Sequence, residues 1–209
     1  MLTRATAIAC ATLCLLAHVP AARADWSCNL ESGRGRNFQP IRASIPGLLF
    51  SAPAGDDVYF ADITSGWYDV TSDNGLVYEN GEYFVSGYVG AYVLGLGDQA
   101  KISFALGPAS RFTIGYSSQF PFVLEAYDGA GSLLTSAGGA ANVRSQGGTG
   151  LAYLTVNHPG IAYVLLHDEG GYWMVDNITT DAPVPEPASI IALLVALGGL
   201  AASRRRRSR

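Results

Sequence analysis

The stretch from Lys101 to Tyr116 reads KISFALGPASRFTIGY, two alternating apolar runs on either side of a Gly-Pro break. A period of two places Ile102, Phe104 and Leu106 on one face of the first run and Phe112, Ile114 and Tyr116 on one face of the second. That is the pattern of strands with one buried face. It returns in IAYVLLH, where Ala162, Val164 and Leu166 alternate with Ile161, Tyr163 and Leu165. No stretch between Asp25 and Asp181 has the spacing of an amphipathic helix.

The turn chemistry agrees with this reading. Asn74-Gly75 and Asn80-Gly81 suit two-residue hairpin turns, and YDGAGS from Tyr127 to Ser132 is a glycine-rich reversal between apolar runs. Small and polar residues from Gly138 to Gly150 interrupt the strand pattern and predict a surface loop. Three strands are expected after it, over 151–157, 161–167 and 172–178, too few for a separate domain. With 209 residues, 49% hydrophobic and 14% charged, the chain suits one well-buried core. The expectation is therefore an all-β protein, a single antiparallel β-sandwich over residues 25–181.

The two ends differ from this body. Residues 1–24 combine Arg4, an apolar stretch from Ala5 to Ala17 and the tripeptide Ala22-Arg23-Ala24, the make-up of a secretory signal peptide cleaved after Ala24. Its removal takes Cys10 and Cys14 with it, so Cys28 alone remains and no internal disulfide can form. Cys28 reads as a free, partly buried thiol, with intermolecular pairing as the alternative. Sixteen of the 17 acidic residues but only 6 of the 13 basic ones fall between Asp25 and Asp181, so the body carries about −10. A surface of that sign excludes nucleic acid as a partner, because such binding rests on neutralising phosphates with Lys and Arg.

At the other end, Ala188 to Ala202 is apolar except for Ser189, and beyond Ser203 stand Arg204, Arg205, Arg206 and Arg207. As a helix of about 1.5 Å rise per residue the run spans roughly 22 Å, a short transmembrane helix against a hydrocarbon core of ~30 Å. All four arginines would set the topology, keeping the C-terminus cytoplasmic while the signal peptide exports the body. Pro183, Pro185 and Pro187 hold the preceding segment extended.

This arrangement resembles the PEP-CTERM sorting signal of Gram-negative bacteria. It has Val184, Pro185, Glu186 and Pro187, a short apolar helix over 188–202 and an arginine-rich end over 204–209, together spanning residues 182–209. The resemblance implies that an exosortase recognises the tail and removes it. The inner membrane would hold the precursor transiently, and the body would then pass to the cell surface or biofilm matrix. KISFALGPASRFTIGYSS, FVLEAYDGAGSLL and YWMVDNITT also resemble the jelly-roll-like body found on many such proteins. In such bodies an aspartate on the last strand can bind calcium, and Asp176 is the matching position; the alternative is that Asp176-Asn177 hydrogen-bonds a turn.

Nothing in the sequence selects a catalytic residue. His158 precedes Pro159-Gly160 and reads as a turn residue, and His167 ends a strand beside Asp168 and Glu169. The motifs of zinc hydrolases, serine hydrolases and phosphate-binding loops are absent. Asp56-Asp57 and Asp168-Glu169 are sequence neighbours, which in a strand point to opposite faces. The chain is therefore expected not to be an enzyme. Trp67 and Trp173 are candidate platforms for stacking on sugar rings, against the reading that strand aromatics belong to the core.

The expected function is that of an exported structural or adhesive protein. The alternative is a calcium-assisted module that binds exopolysaccharide, and a more distant one is an ice-binding protein. Ice binding asks for a flat array of threonines, and the sequence shows no such period.

Overall fold

A computed structural model of the chain describes residues 25–30, 40–52, 57–62, 75, 83–86 and 99–183. The segment expected to be a signal peptide, with Ala22 and Ala24, and Trp67 lie outside the described residues. So do Val184, Pro185, Glu186 and Pro187, the apolar run after them, and Arg204, Arg205, Arg206 and Arg207, expected to set the topology. The Asn-Gly pairs, apart from Gly75, lie outside them too.

Eleven strands are described: β1 (Trp26–Cys28), β2 (Leu48–Ser51), β3 (Phe60–Asp62), β4 (Tyr83–Ser86), β5 (Gln99–Phe104), β6 (Ala109–Ser118), β7 (Phe122–Tyr127), β8 (Leu133–Gly139), β9 (Ala152–Ile161), β10 (Tyr163–His167) and β11 (Trp173–Thr180). They form two antiparallel sheets. One has the order β3-β4-β11-β6-β9, with β1 also paired to β11; the other has the order β2-β5-β10-β7-β8. Among the described residues no helix is long and apolar enough to cross a membrane.

The alternating residues of the sequence supply the core. Ile102, Phe104, Phe112, Ile114, Tyr116, Val164 and Leu166 all point between the sheets. Aromatic contacts bridge the two layers: Tyr116 of β6 stacks on Phe122 of β7 at 4.8 Å, Phe122 meets Trp173 of β11 at 5.4 Å, and Phe104 meets Phe112 at 5.9 Å. Rings at these spacings add to the burial of their apolar area. The Tyr116 hydroxyl donates to the carbonyl of Ala140 at 2.8 Å. Gly139 makes room for it, since a Cβ there would lie 1.9 Å from that oxygen.

Two local expectations are corrected. Leu106 is 50% exposed, because β5 ends at Phe104 and the chain has left the sheet by then. His158 lies within β9, which runs on through Pro159 and Gly160 to Ile161. Gly160 has a φ of 90°, a left-handed conformation that glycine adopts without steric cost, and the strand bends there instead of stopping.

The last strand changes phase. Trp173 and Val175 face the core, and so does Ile178, an odd-to-even switch that regular pleating forbids. A β-bulge between Asp176 and Thr179 supplies the extra residue, and Asn177 sits there at a φ of 53°. Asparagine tolerates this region better than other side chains do, and the Oδ1 of Asp176 accepts the Asn177 N–H at 2.7 Å. Replacing Asn177 by glycine should leave stability within about 0.5 kcal/mol of the parent, whereas Asn177→Val should cost about 1–3 kcal/mol in urea unfolding. Equal loss in both variants would show that the backbone conformation is not what holds the bulge.

Candidate functional site

The outer face of the five-stranded sheet gathers the side chains that alternation leaves out of the core. On β10 these are Tyr163, Leu165 and His167; on β5, Gln99, Lys101 and Ser103; on β7, Val123, Glu125 and Tyr127. Register then brings particular pairs together. Tyr163 lies opposite Tyr127 on one side and Ser103 on the other, while Leu165 lies between Lys101 and Glu125.

The two tyrosine rings stack at 5.0 Å, only 5° from parallel. Lys101 reaches diagonally across from β5 to put its Nζ 3.9 Å from the centre of the Tyr163 ring. Because β10 lies between β5 and β7, the ammonium covers one face of Tyr163 and Tyr127 covers the other. The second face of Tyr127 is turned toward β8, where the opposing residue, Leu133, is 53% exposed.

The polar groups are tied to this stack. The Tyr127 hydroxyl donates to Oε2 of Glu125 at 2.7 Å, and Nε2 of His167 lies 3.6 Å from the same oxygen. The hydrogen bond to Glu125, with burial and nearby charge adding to it, pushes the Tyr127 hydroxyl up to about 12. The result is a half-buried aromatic ridge with a cation at one end and a carboxylate alongside. Glu125 is the only carboxylate among the outward residues of β5, β10 and β7.

The residues expected from the sequence fall elsewhere. Trp173 is 1% exposed and packed against Phe122, so it belongs to the core and cannot stack on a ligand; its β11 position faces inward. Asp176 is fully buried on the other face of β11, with one oxygen on the bulge amide. Among the described residues no group of three or more His, Cys, Asp or Glu side chains converges as a metal site. Asp168 is buried too: its oxygens accept the Ser118 hydroxyl at 2.7 Å and the N–H groups of Gly170 and Gly171, closing the loop before β11. Cys28 is half-buried against the core, and burial pushes its thiol up.

The opposite sheet holds a row that no linear period shows. Ser27, Thr179, Thr113 and Thr155 stand in register across β1, β11, β6 and β9, and the hydroxyls of Thr113 and Thr155 lie 2.9 Å apart. The row is one residue deep, flanked by Arg111 and Gly115 on β6 and by Tyr153 and Asn157 on β9. It is not the flat two-dimensional array that ice binding asks for.

The class of protein defined here is an antiparallel β-sandwich with an aromatic outer face. The fold is similar to that of the K2 cleaved adhesin domain of Lys-gingipain (TM-score 0.45, 12% identity), covering 75% of this chain and 99% of that one. It is also similar to TmCBM61, solved in complex with β-1,4-galactotriose (TM-score 0.35, 16% identity, 70% of this chain and 90% of that one). A third similar structure is a family 29 carbohydrate-binding module from Piromyces equi (TM-score 0.34, 4% identity, 64% and 89% covered). At identities this low no binding residue transfers to this chain. No protein-family description and no curated protein matches the sequence.

Since neutral Tyr127 is favoured in the fold, it contributes stability that is full below the ordinary tyrosine value near 10 and is lost as pH rises through about 12. Ultraviolet titration should show Tyr127 ionising late, alongside Tyr116, which burial also pushes up, and Glu125→Ala should bring Tyr127 alone back toward the ordinary value. An unchanged titration in that variant would disprove the Glu125 contact.

Proposed function

We propose that the body is an exported polysaccharide-binding module whose ligand lies along the outer face of the five-stranded sheet. The observation that carries this reading is the Lys101-Tyr163-Tyr127 stack, half-exposed, with Glu125 and His167 beside it. Pyranose rings present apolar C–H faces bordered by hydroxyls. The open face of Tyr127 and the neighbouring Leu133 suit the first, while Glu125, His167 and Lys101 suit the second. Strands hold these groups on a rigid lattice, so little ordering is required on binding.

Sorting through the tail brings this surface to its ligand. In this reading an exosortase recognises Val184 to Pro187 in a precursor anchored in the inner membrane, and the body then acts at the cell surface or in the matrix as an adhesive element. The support is the order of segments in the sequence: signal peptide, acidic body, Pro-Glu-Pro, short apolar run and arginines. The candidate calcium residue Asp176 is buried on the other sheet and forms no part of this face.

Affinity electrophoresis tests the binding. The mature body should be retarded by the producer's own exopolysaccharide or by one of a set of neutral and uronic-acid polymers. Tyr127→Ala should weaken that retardation about tenfold or more, the equivalent of ~1.4 kcal/mol. Absence of retardation in every gel would overturn the polysaccharide reading.

Intact mass tests the sorting separately. Protein recovered from outside native cells should lack the C-terminal tail, and a variant with alanine at Pro185, Glu186 and Pro187 should retain it. A parent protein that still carries Arg204, Arg205, Arg206 and Arg207 would instead be a permanently tail-anchored one.

A further inference from the structure

The two ends of the described body meet. β1 pairs antiparallel with the end of β11, Trp26 opposite Thr180, and the Trp26 indole N–H donates to the carbonyl of Ala182 at 3.0 Å. Residue 25, which follows the signal peptide, and Pro183, which precedes the sorting motif, therefore leave from the same end of the sandwich.

This junction has no slack. The Asp181 carboxylate accepts the N–H groups of Ser110 at 2.7 Å and Arg111 at 2.9 Å and bonds the Ser110 hydroxyl. Thr180 Oγ1 donates to the Arg111 carbonyl and accepts the Ala182 N–H, and Arg111 pairs with Asp25. Ala182 is buried. Only five Cα steps, at most about 18 Å, separate Pro183 from Ala188, the first residue of the apolar run. The headgroup layer on each side of a bilayer takes up roughly 5–8 Å of that distance.

The composition of this end fits such closeness. Among the described residues its loops are Pro46-Gly47, Ala105 to Pro108 and Asp128 to Ser132, beside the last residues of β9, and none of these contains lysine or glutamate. Leu106 and Leu133 are exposed apolar side chains here, at 50% and 53%. Three described carboxylates at this end are engaged within the fold: Asp25 by Arg111, Asp181 by Ser110 and Arg111, and Asp128 by the N–H groups of Ser132 and Ala130.

We propose that, while the tail is inserted, the body stands end-on on the bilayer, with Leu106 and Leu133 meeting the lipid headgroups and the sorting motif held at the membrane surface. The proposal rests on the reading of residues 188–202 as membrane-inserted. Two leucines amid a net negative charge make a weak contact, so the tail must supply it through high local concentration. The short link to a membrane-embedded protease is the functional consequence.

The test uses residues 25–209, the chain without its signal peptide, with Cys28 replaced by serine, reconstituted in phosphatidylcholine vesicles. Single cysteines at Leu106, at Leu133, or at Phe120 on the opposite end carry an environment-sensitive fluorophore, read out by quenching from lipids spin-labelled near the headgroup. The proposal expects at least about twofold stronger quenching at 106 and 133 than at 120, the signature of one end lying within the headgroup layer. Sedimentation with the vesicles reports tail insertion independently. A protein that sediments but is quenched equally at all three positions, or most at 120, overturns the end-on posture alone. A protein that stays in the supernatant overturns the reading of the tail, and the posture with it.

Discussion

The phase change in β11 is the constraint on which the rest of the sandwich depends. This strand has to bury Trp173 and Val175 against the other sheet and then Ile178 as well, and a regular strand turns residues of opposite parity to opposite faces. The bulge at Asp176 and Asn177 absorbs the mismatch. Without it Ile178 would point to solvent, and Thr180 could not reach Arg111 and Ala182 from the inner side. With it, β11 has β6 along one flank and two short strands, β4 and then β1, along the other. One buried strand thus carries the register for the larger sheet and fixes where both ends of the body emerge.

The smaller sheet is organised around β10, which has a neighbour on each side over its whole length. Its inner residues, Val164 and Leu166, complete the core, while its outer residues are surrounded by contributions from β5 and β7. The cation, the two rings and the carboxylate come from three strands that are distant in sequence. Each is held by a ladder that would have to break for it to move. Rigidity of this kind suits the recognition of a repetitive ligand. It also leaves this outer face independent of the bulge and the end clamp on the other sheet.

The inner face of the fold is legible in the sequence because burial imposes a period. Phe112, Ile114, Tyr116, Val164 and Leu166 follow from alternation alone, and the Tyr127 to Ser132 reversal from its glycines. The pattern misleads where a strand ends earlier or runs later than it suggests, as at Leu106 and His158. The site is far less legible. Tyr127 and Tyr163 are separated by a hairpin, a loop and another strand, and neither belongs to a motif. Trp173 is the more conspicuous aromatic, yet size and apolarity are the properties that take it into the core. Asp176 likewise has the right residue type for a metal ligand, but an Asp-Asn pair in a bulge serves the backbone first.

Near neighbours along the chain settle the layered β architecture, the acidity of the body and the order of its flanking segments, through alternation, turn residues and runs of like character. Which outward side chains become neighbours, and that residues 26 and 182 meet, is settled in three dimensions alone. Both follow from strand pairing at long sequence separation. There, a shift of one residue in register reverses every face, and no local pattern records which register the buried side chains select.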